Sequence, residues 1–313
     1  MLISDFITET KIGLFCTYGN FYLDPKVGVK DAVISHAHGD HACSGNENVY
    51  CTETTSLFML HRYKHFAAIQ FHLHPYLNSF NLNGVEITFI PAGHILGSAQ
   101  VLMEYLGVRY LYTGDYKLQA DQTCEPIEFV EADVLITEST FANPLILHPP
   151  AEEEIQKLNA THSNILLGAY TLGKSQRLVR LINDHCKEKR ILIHHSIMPF
   201  VKIYEQHGIP LGKHEFYDRK VFKSTTSDLV YLVPPLVFAG NVKALNVVKA
   251  FASGWSGLQR SNGIKLYLSD HADWNDILKT IDQVKPKEIW TTHGDGLHLK
   301  SYFEDRLVVK LLN

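Results

Sequence analysis

The sequence predicts an α/β protein, and three observations carry that prediction. Short apolar segments with strand composition crowd the first half of the chain. A proline-bearing stretch over residues 143–150 then breaks the pattern and marks a boundary. Beyond it, strand and helix patterns alternate, the signature of a parallel sheet with crossover helices.

Along the chain, strands are expected over residues 21–23, 31–34, 85–90, 101–105, 109–112 and 134–137, with a hairpin closing at 106–108. A helix is expected over 54–60, with Thr52 or Thr54 as its N-cap. Past the prolines, Glu152, Glu153 and Glu154 form an acidic first turn, which the helix dipole favours. Strands follow at 165–169, 190–193 and 229–233, and helices over 175–186, 199–206 and 241–251. The chain closes with strands at 265–268 and 288–292 and helices over 274–284 and 297–305.

With 313 residues, 45% hydrophobic and 20% charged, the chain can bury a large core. No apolar run reaches the ~20 residues of a membrane span. The first residues, Met1 to Phe6, lack the basic start and long apolar core of a signal peptide, so a cytoplasmic location is expected. Cys16, Cys43, Cys51, Cys124 and Cys186 are odd in number and scattered, which fits reduced thiols. A net charge of −4 argues against a protein that coats nucleic acid. It does not exclude a nuclease, because bound dications add positive charge that the count omits. The basic segments at 187–190, around Arg219 and Lys223, and at Lys174, Arg177 and Arg180 read as solvated faces.

Packing does not explain His36-x-His38-x-Asp40-His41, which sets three imidazoles and a carboxylate within six positions directly after an apolar strand. Imidazole and carboxylate are the main non-sulfur ligands for divalent metals at neutral pH. Strand ends are where α/β proteins place their sites. Further candidates share that placement beside glycine: His94, Asp115 and His293, each after a strand. A carboxylate can bridge two metals, so Asp115 suits a site with more than one ion. Glu138 and His271 also follow strands, and a Glu–His pair is one way to hold an imidazole for proton transfer. The plain alternative for the pair is a structural glutamate and a helix-capping Asp-His.

These residues resemble the metallo-β-lactamase superfamily, and specifically its nucleic-acid-processing β-CASP branch. His36, His38, Asp40 and His41 match its second motif, His94 its third, Asp115 its fourth, and Asp24 its structural aspartate. Glu138, His271 and His293 match motifs that the nuclease branch adds. The segments at 19–25, 172–178, 252–255 and 269–274 are similar to the bacterial ligase-associated DNA exonuclease family. That resemblance implies an αββα metallo-β-lactamase sandwich over residues 1–148 and 262–313. It also implies an inserted α/β subdomain, β-CASP-like and short for the branch, over 149–261.

The resemblance further implies two divalent ions, Zn²⁺ or else Mn²⁺. His36, His38 and His94 would hold one, Asp40, His41 and His293 the other, and Asp115 would bridge them. A hydroxide activated by both ions would attack phosphorus. His271, oriented by Glu138, would protonate the leaving oxygen, so Asp40, Glu138 and His271 are the expected catalytic residues. Ser98, Ser139, Thr140 and Lys174 are candidates for phosphate or backbone contact. The implied partners are DNA, single-stranded or at duplex ends, and a DNA ligase and helicase of the same repair pathway. An RNA end-processing nuclease is the alternative, because nothing in the sequence reads the 2′-hydroxyl. A lactamase- or glyoxalase-type hydrolase accounts for the metal ligands but not for Glu138, His271 or the insert. An inactive scaffold subunit would have lost ligands.

Overall fold

Side chains along a strand alternate between faces, and that period of two decides how the first half stacks. The computed structural model describes residues 2–3, 5–225, 227–240 and 246–312. Two units emerge: Met1–Ala120, Cys124–Leu147 and His271–Asn313 form one, and Asp121–Thr123 with His148–Asp270 form the other.

The first unit starts with β1 (Ile7–Glu9), β2 (Leu14–Cys16), β3 (Phe21–Leu23), β4 (Asp31–Val33) and β5 (Asn46–Cys51). Helix α1 (Glu53–Tyr63) then leads to β6 (Ala68–Leu73). These strands form one sheet in chain order, antiparallel through β3 and parallel from β3 to β6. Thr52 caps α1, its side chain accepting from Thr55 N at 3.3 Å. A second sheet contains β7 (Phe80–Leu82), β8 (Val85–Pro91), β9 (Ala99–Tyr105), β10 (Val108–Tyr112) and β11 (Val134–Glu138).

Within the second sheet, Val85, Ile87, Phe89, Val101, Met103, Tyr110 and Ile136 face the first sheet and pack with its Phe21, Leu23 and Val33. The alternate residues Ile90, Leu102, Leu111 and Leu135 face the other way, into a second apolar layer. Both faces are therefore dry, which is why these strands read as continuous apolar runs.

The second unit follows the alternation expected of a parallel sheet. Its strands are β12 (Asn164–Gly168), β13 (Arg190–Ile193), β14 (Glu215–Phe216), β15 (Leu229–Val233), β16 (Val247–Ala252) and β17 (Ile264–Leu266), all paired in parallel. Its helices are α2 (Ala151–Gln156), α3 (Lys174–His185), α4 (Met198–Gln206), α5 (Arg219–Ser224) and α6 (Pro235–Ala239). The chain then returns to the first unit with α7 (Trp274–Val284), β18 (Glu288–Thr292), α8 (Leu297–Phe303) and β19 (Val308–Leu311). Strands β18 and β19 extend the second sheet beyond β11 in parallel. Trp274, Ile277, Ile281, Leu299 and Phe303 of α7 and α8 cover its outer face. The frame is the metallo-β-lactamase sandwich with a β-CASP-like insert.

Several expectations need correction. The helix placed over 241–251 is not there: residues 247–252 are strand β16, with Val247, Val248 and Phe251 favouring a strand, and residues 241–245 lie outside the described residues. The insert does not end at residue 261, because β17 pairs with β16 and the second unit runs to Asp270. Strands β1, β2, β5, β6 and β7 were not anticipated; all but β5 and β6 are three residues long. Lys174 and Arg177 are not a solvated face. They are buried, and both ion-pair with Asp270, at 3.2 and 2.9 Å. Among the described residues, no cysteine is joined in a disulfide. Among the described residues, no helix is long and apolar enough to cross a membrane.

Candidate metal centre and acid–base pair

Strand direction brings the site together. β8 and β10 are each antiparallel to β9, and β10, β11 and β18 are parallel, so all four end at one rim. His94 follows β8, Asp115 follows β10, Glu138 ends β11 and His293 follows β18. The turn after β4 supplies His36, His38, Asp40 and His41.

Three imidazole nitrogens converge there. His38 Nδ1 lies 3.1 Å from His36 Nε2 and 3.0 Å from His94 Nε2. Asp115 Oδ2 sits among them, 3.6 Å from His36 Nε2, 3.8 Å from His94 Nε2 and 3.3 Å from His41 Nε2. His36, His38, His94 and Asp115 form one potential ligand group, and His41, Asp115 and His293 form another. The ring of His293 stacks on His41 at a centroid distance of 4.7 Å. Asp40 stands apart from these groups. Its side chain is 73% exposed, with Oδ2 4.0 Å from His41 Nε2.

Buried Asp24 sets the tautomers. It accepts from Ser35 N at 2.7 Å, from Tyr112 OH at 3.0 Å and from His41 Nδ1 at 2.7 Å. The Ser35 hydroxyl also donates to Asp24 and lies 3.0 Å from His36 Nδ1. Fixing Nδ1 in both rings leaves Nε2 facing Asp115. Lys117 Nζ donates to His94 O at 2.6 Å, and Ser98 Oγ accepts from His94 N at 3.1 Å, which fixes the loop after β8.

Charge follows from this geometry. Burial drives His36 well below the ordinary imidazole pKa, and His41 and His94 push it the same way. Burial, then His38, lowers His94 likewise, so both rings keep a lone pair for a metal. Burial opposes a charge on His41, but the carboxylates of Asp115 and Asp24 outweigh it and raise its pKa well above the usual value. Burial also opposes the charge on Asp115, yet His41 and His271 hold it well below the carboxylate range. The site therefore draws positive charge to its centre.

Divalent ions fit these residues. Among the described residues, His41 Nε2 and Asp115 Oδ1 are buried without a hydrogen-bond partner. Orphaned polar atoms in a dry core are costly unless something polar or cationic meets them. Nitrogen donors at mutual distances of 3.0–3.1 Å can share an ion that binds imidazole at about 2.0–2.1 Å.

Beside this cluster stands a carboxylate–imidazole pair. Glu138 is fully buried, accepts from Tyr116 N at 2.9 Å and lies 2.9 Å from His271 Nδ1. His271 is 29% exposed, and its Nδ1 is 3.8 Å from Asp115 Oδ2. With Nδ1–H donated to a carboxylate, Nε2 is the nitrogen left for substrate.

Ser139 and Lys174, two of the polar candidates, serve the backbone. Ser139 Oγ donates to Thr292 O at 3.0 Å, and Lys174 Nζ donates to Leu268 O at 2.7 Å. Sequence reasoning missed Tyr112, Lys117 and Ser35 as supports, since each acts on a partner remote in sequence or hidden inside the motif. Gly114 is a further support, because its φ of +54° suits glycine and an added Cβ would lie 2.7 Å from Ser35 Oγ. Gly114→Ala is expected to destabilise the protein by about 2 kcal/mol or more, read as a lowered urea midpoint.

Comparison with known proteins supports the fold. A family described as "Zn-dependent metallo-hydrolase RNA specificity domain" (RMMBL) matches residues 264–307. A protein called a probable DNA ligase, from Opitutus terrae, is 30% identical over 94% of this chain, which spans 30% of that protein. An RNase J-like protein from Methanocaldococcus jannaschii is 24% identical over 89% of this chain and 85% of its own length. Endoribonuclease YSH1 from Kluyveromyces lactis is 28% identical over 45% of this chain and 18% of that protein. Among solved structures, a protein of unknown function from Enterococcus faecalis shares the fold, with a TM-score of 0.60 and 14% identity over 90% of this chain and 79% of its own.

A two-sheet sandwich with histidine and aspartate converging at one rim, and a carboxylate-held imidazole beside them, defines a metallohydrolase. These findings support a nuclease of the metallo-β-lactamase superfamily, and its β-CASP branch fits.

Proposed function

We propose that this protein is a metal-dependent DNA exonuclease that works in DNA repair in the cytoplasm, alongside an ATP-dependent DNA ligase and a helicase. The observation that carries the reading is the Glu138–His271 pair, 2.9 Å apart at the edge of the ligand cluster. A phosphodiester needs both an electrophilic clamp and a proton for its leaving oxygen, and this site provides for each. The relative named as a probable DNA ligase supports DNA and the ligase partnership.

His36, His38 and His94 would hold one ion. His41 and His293 would hold the second, with Asp40 completing its set by a side-chain rotation and Asp115 bridging. Zn²⁺ is the expected ion, and Mn²⁺ the alternative. Ions held there would supply Lewis acidity, which lowers the pKa of bound water towards neutrality and offsets phosphate charge. Asp24 keeps His41 Nε2 aimed at Asp115, and Ser35 does the same for His36. Glu138 holds His271 by Nδ1 and favours its imidazolium form. His271 can then deliver a proton from Nε2 to the departing ribose oxygen.

A second reading is an RNA end-processing nuclease on the same residues. The names of the matched family and of the RNase J-like and endoribonuclease relatives favour it. Labelled single-stranded and duplex DNA and RNA, with free or blocked ends and with Zn²⁺ or Mn²⁺, separate the two. Salt must be matched, because phosphate contacts make affinity salt-dependent. Cleavage of single-stranded DNA, or of single-stranded ends on duplexes, is expected to exceed RNA cleavage. A preference for RNA of about tenfold or more would overturn the DNA reading and put the RNA reading in its place.

A further inference from the structure

The end of α1 carries a group of side chains that the metal chemistry leaves unused: His61, Arg62, Lys64, His65 and Phe66. It is tied to the metal-binding turn at three points. Arg62 Nη1 donates to Ala37 O at 2.6 Å, between the first two histidines of the motif. Tyr63 OH donates to Ala42 O at 2.8 Å, and Gly45 N donates to Phe66 O at 2.8 Å. A Cβ added to Gly39 would meet Arg62 Nη1 at 4.0 Å, so the guanidinium lies directly against the ligand turn.

Lys64 is the telling residue. Its backbone has φ +56° and ψ −134°, a conformation that glycine adopts freely and lysine does not. Its N–H still closes the helix by donating to Leu60 O. Helix termination there needs only a glycine; a lysine adds strain of about 1–3 kcal/mol, and such strain clusters at functional sites. Lys64, His65 and Phe66 are all exposed, Phe66 to 66%. The rings of His65 and Phe66 lie 3.9 Å apart, and residues 61–66 contain no carboxylate.

Cations beside an exposed aromatic pair make a platform on which phosphates and an unstacked base can rest together. We propose that the end of α1 binds single-stranded DNA next to the scissile phosphate, with Arg62 and Lys64 on the backbone and Phe66 and His65 under a base. This rests on the nuclease reading above. Duplex DNA offers no free base face to the aromatic pair, and the three hydrogen bonds hold the platform against the turn that follows β4.

Lys64→Gly tests it with opposite signs. The variant removes the cation and the strain together, so its melting temperature is expected to stay level or rise while its hold on DNA falls. Fluorescence anisotropy with a labelled single-stranded 20-mer, in a His271→Ala background so that the strand survives, reads affinity. Lys64→Gly is expected to bind about 3–10-fold more weakly and to flatten the salt dependence by about 0.7 in slope, one phosphate contact. Phe66→Ala is expected to weaken binding at least about 5-fold, the lower range for one stacked base. Unchanged affinity and slope in both variants, or a loss confined to an RNA 20-mer, would overturn the platform. If the otherwise wild-type enzyme cuts no nucleic acid while both variants still lose the strand, the nuclease reading fails and the platform stands. If it cuts DNA and both variants bind normally, the platform alone fails.

Discussion

His271→Ala is expected to keep its metals and still lose at least about 100-fold in turnover on a natural phosphodiester, the lower range for a missing general acid. The potential ligand groups of His36, His38, His94 and Asp115 and of His41, Asp115 and His293 do not include it, and its Nδ1 is engaged by Glu138. The role makes a further demand. A nitrophenyl phosphodiester leaves as a stable anion and needs little protonation, so the defect should shrink sharply on that substrate. Glu138→Gln should give a milder form of the same pattern, since it keeps a hydrogen-bond partner but loses the charge that favours imidazolium. Equal impairment on both substrates, or loss of a metal, would make His271 a ligand or a structural residue instead.

Asp115→Ala is expected to abolish turnover on both substrates and to shed metal with it. Asp115 Oδ2 lies within 3.8 Å of four imidazole nitrogens, those of His36, His41, His94 and His271. Without the carboxylate, those rings crowd one another with no negative charge between them, and His41 loses a carboxylate that favours its charged form. His38→Ala should behave alike, because its Nδ1 lies 3.1 Å from His36 Nε2 and 3.0 Å from His94 Nε2. The contrast with His271→Ala separates holding metal from moving a proton. Turnover on both substrates beside metal content decides it; an Asp115→Ala protein that retains both ions and most of its activity would contradict the bridging role.

The ligand turn was legible because its chemistry is local: four donors within six positions after a strand leave little else to propose. The Glu138–His271 pair is not local, since 133 positions separate its members, and the resemblance to a family linked them before distance did. Asp24 and Tyr112, 88 positions apart, meet only because two sheets stack face to face. Lys174 and Arg177 looked like a solvated basic face because their counter-ion, Asp270, lies more than 90 positions away. The same blindness misplaced the insert's end: residues 264–266 join the third sheet through a parallel pairing that no local pattern announces. At 247–252 the local strand signal is present, in Val247, Val248 and Phe251, and it runs against the strand–helix alternation of the flanking segments. Asp40 is the reverse case, placed by its motif but exposed in the structure.

The central claim is that this rim holds two divalent ions in nitrogen and carboxylate ligands and that phosphodiester cleavage depends on them. Elemental analysis of the purified wild-type chain after reconstitution with Zn²⁺ or Mn²⁺ tests it most directly, read beside cleavage of the same samples. Two ions per chain are expected, with activity lost on chelation and restored on their return. One ion or fewer per chain after reconstitution, or cleavage that survives complete removal of metal, would contradict it.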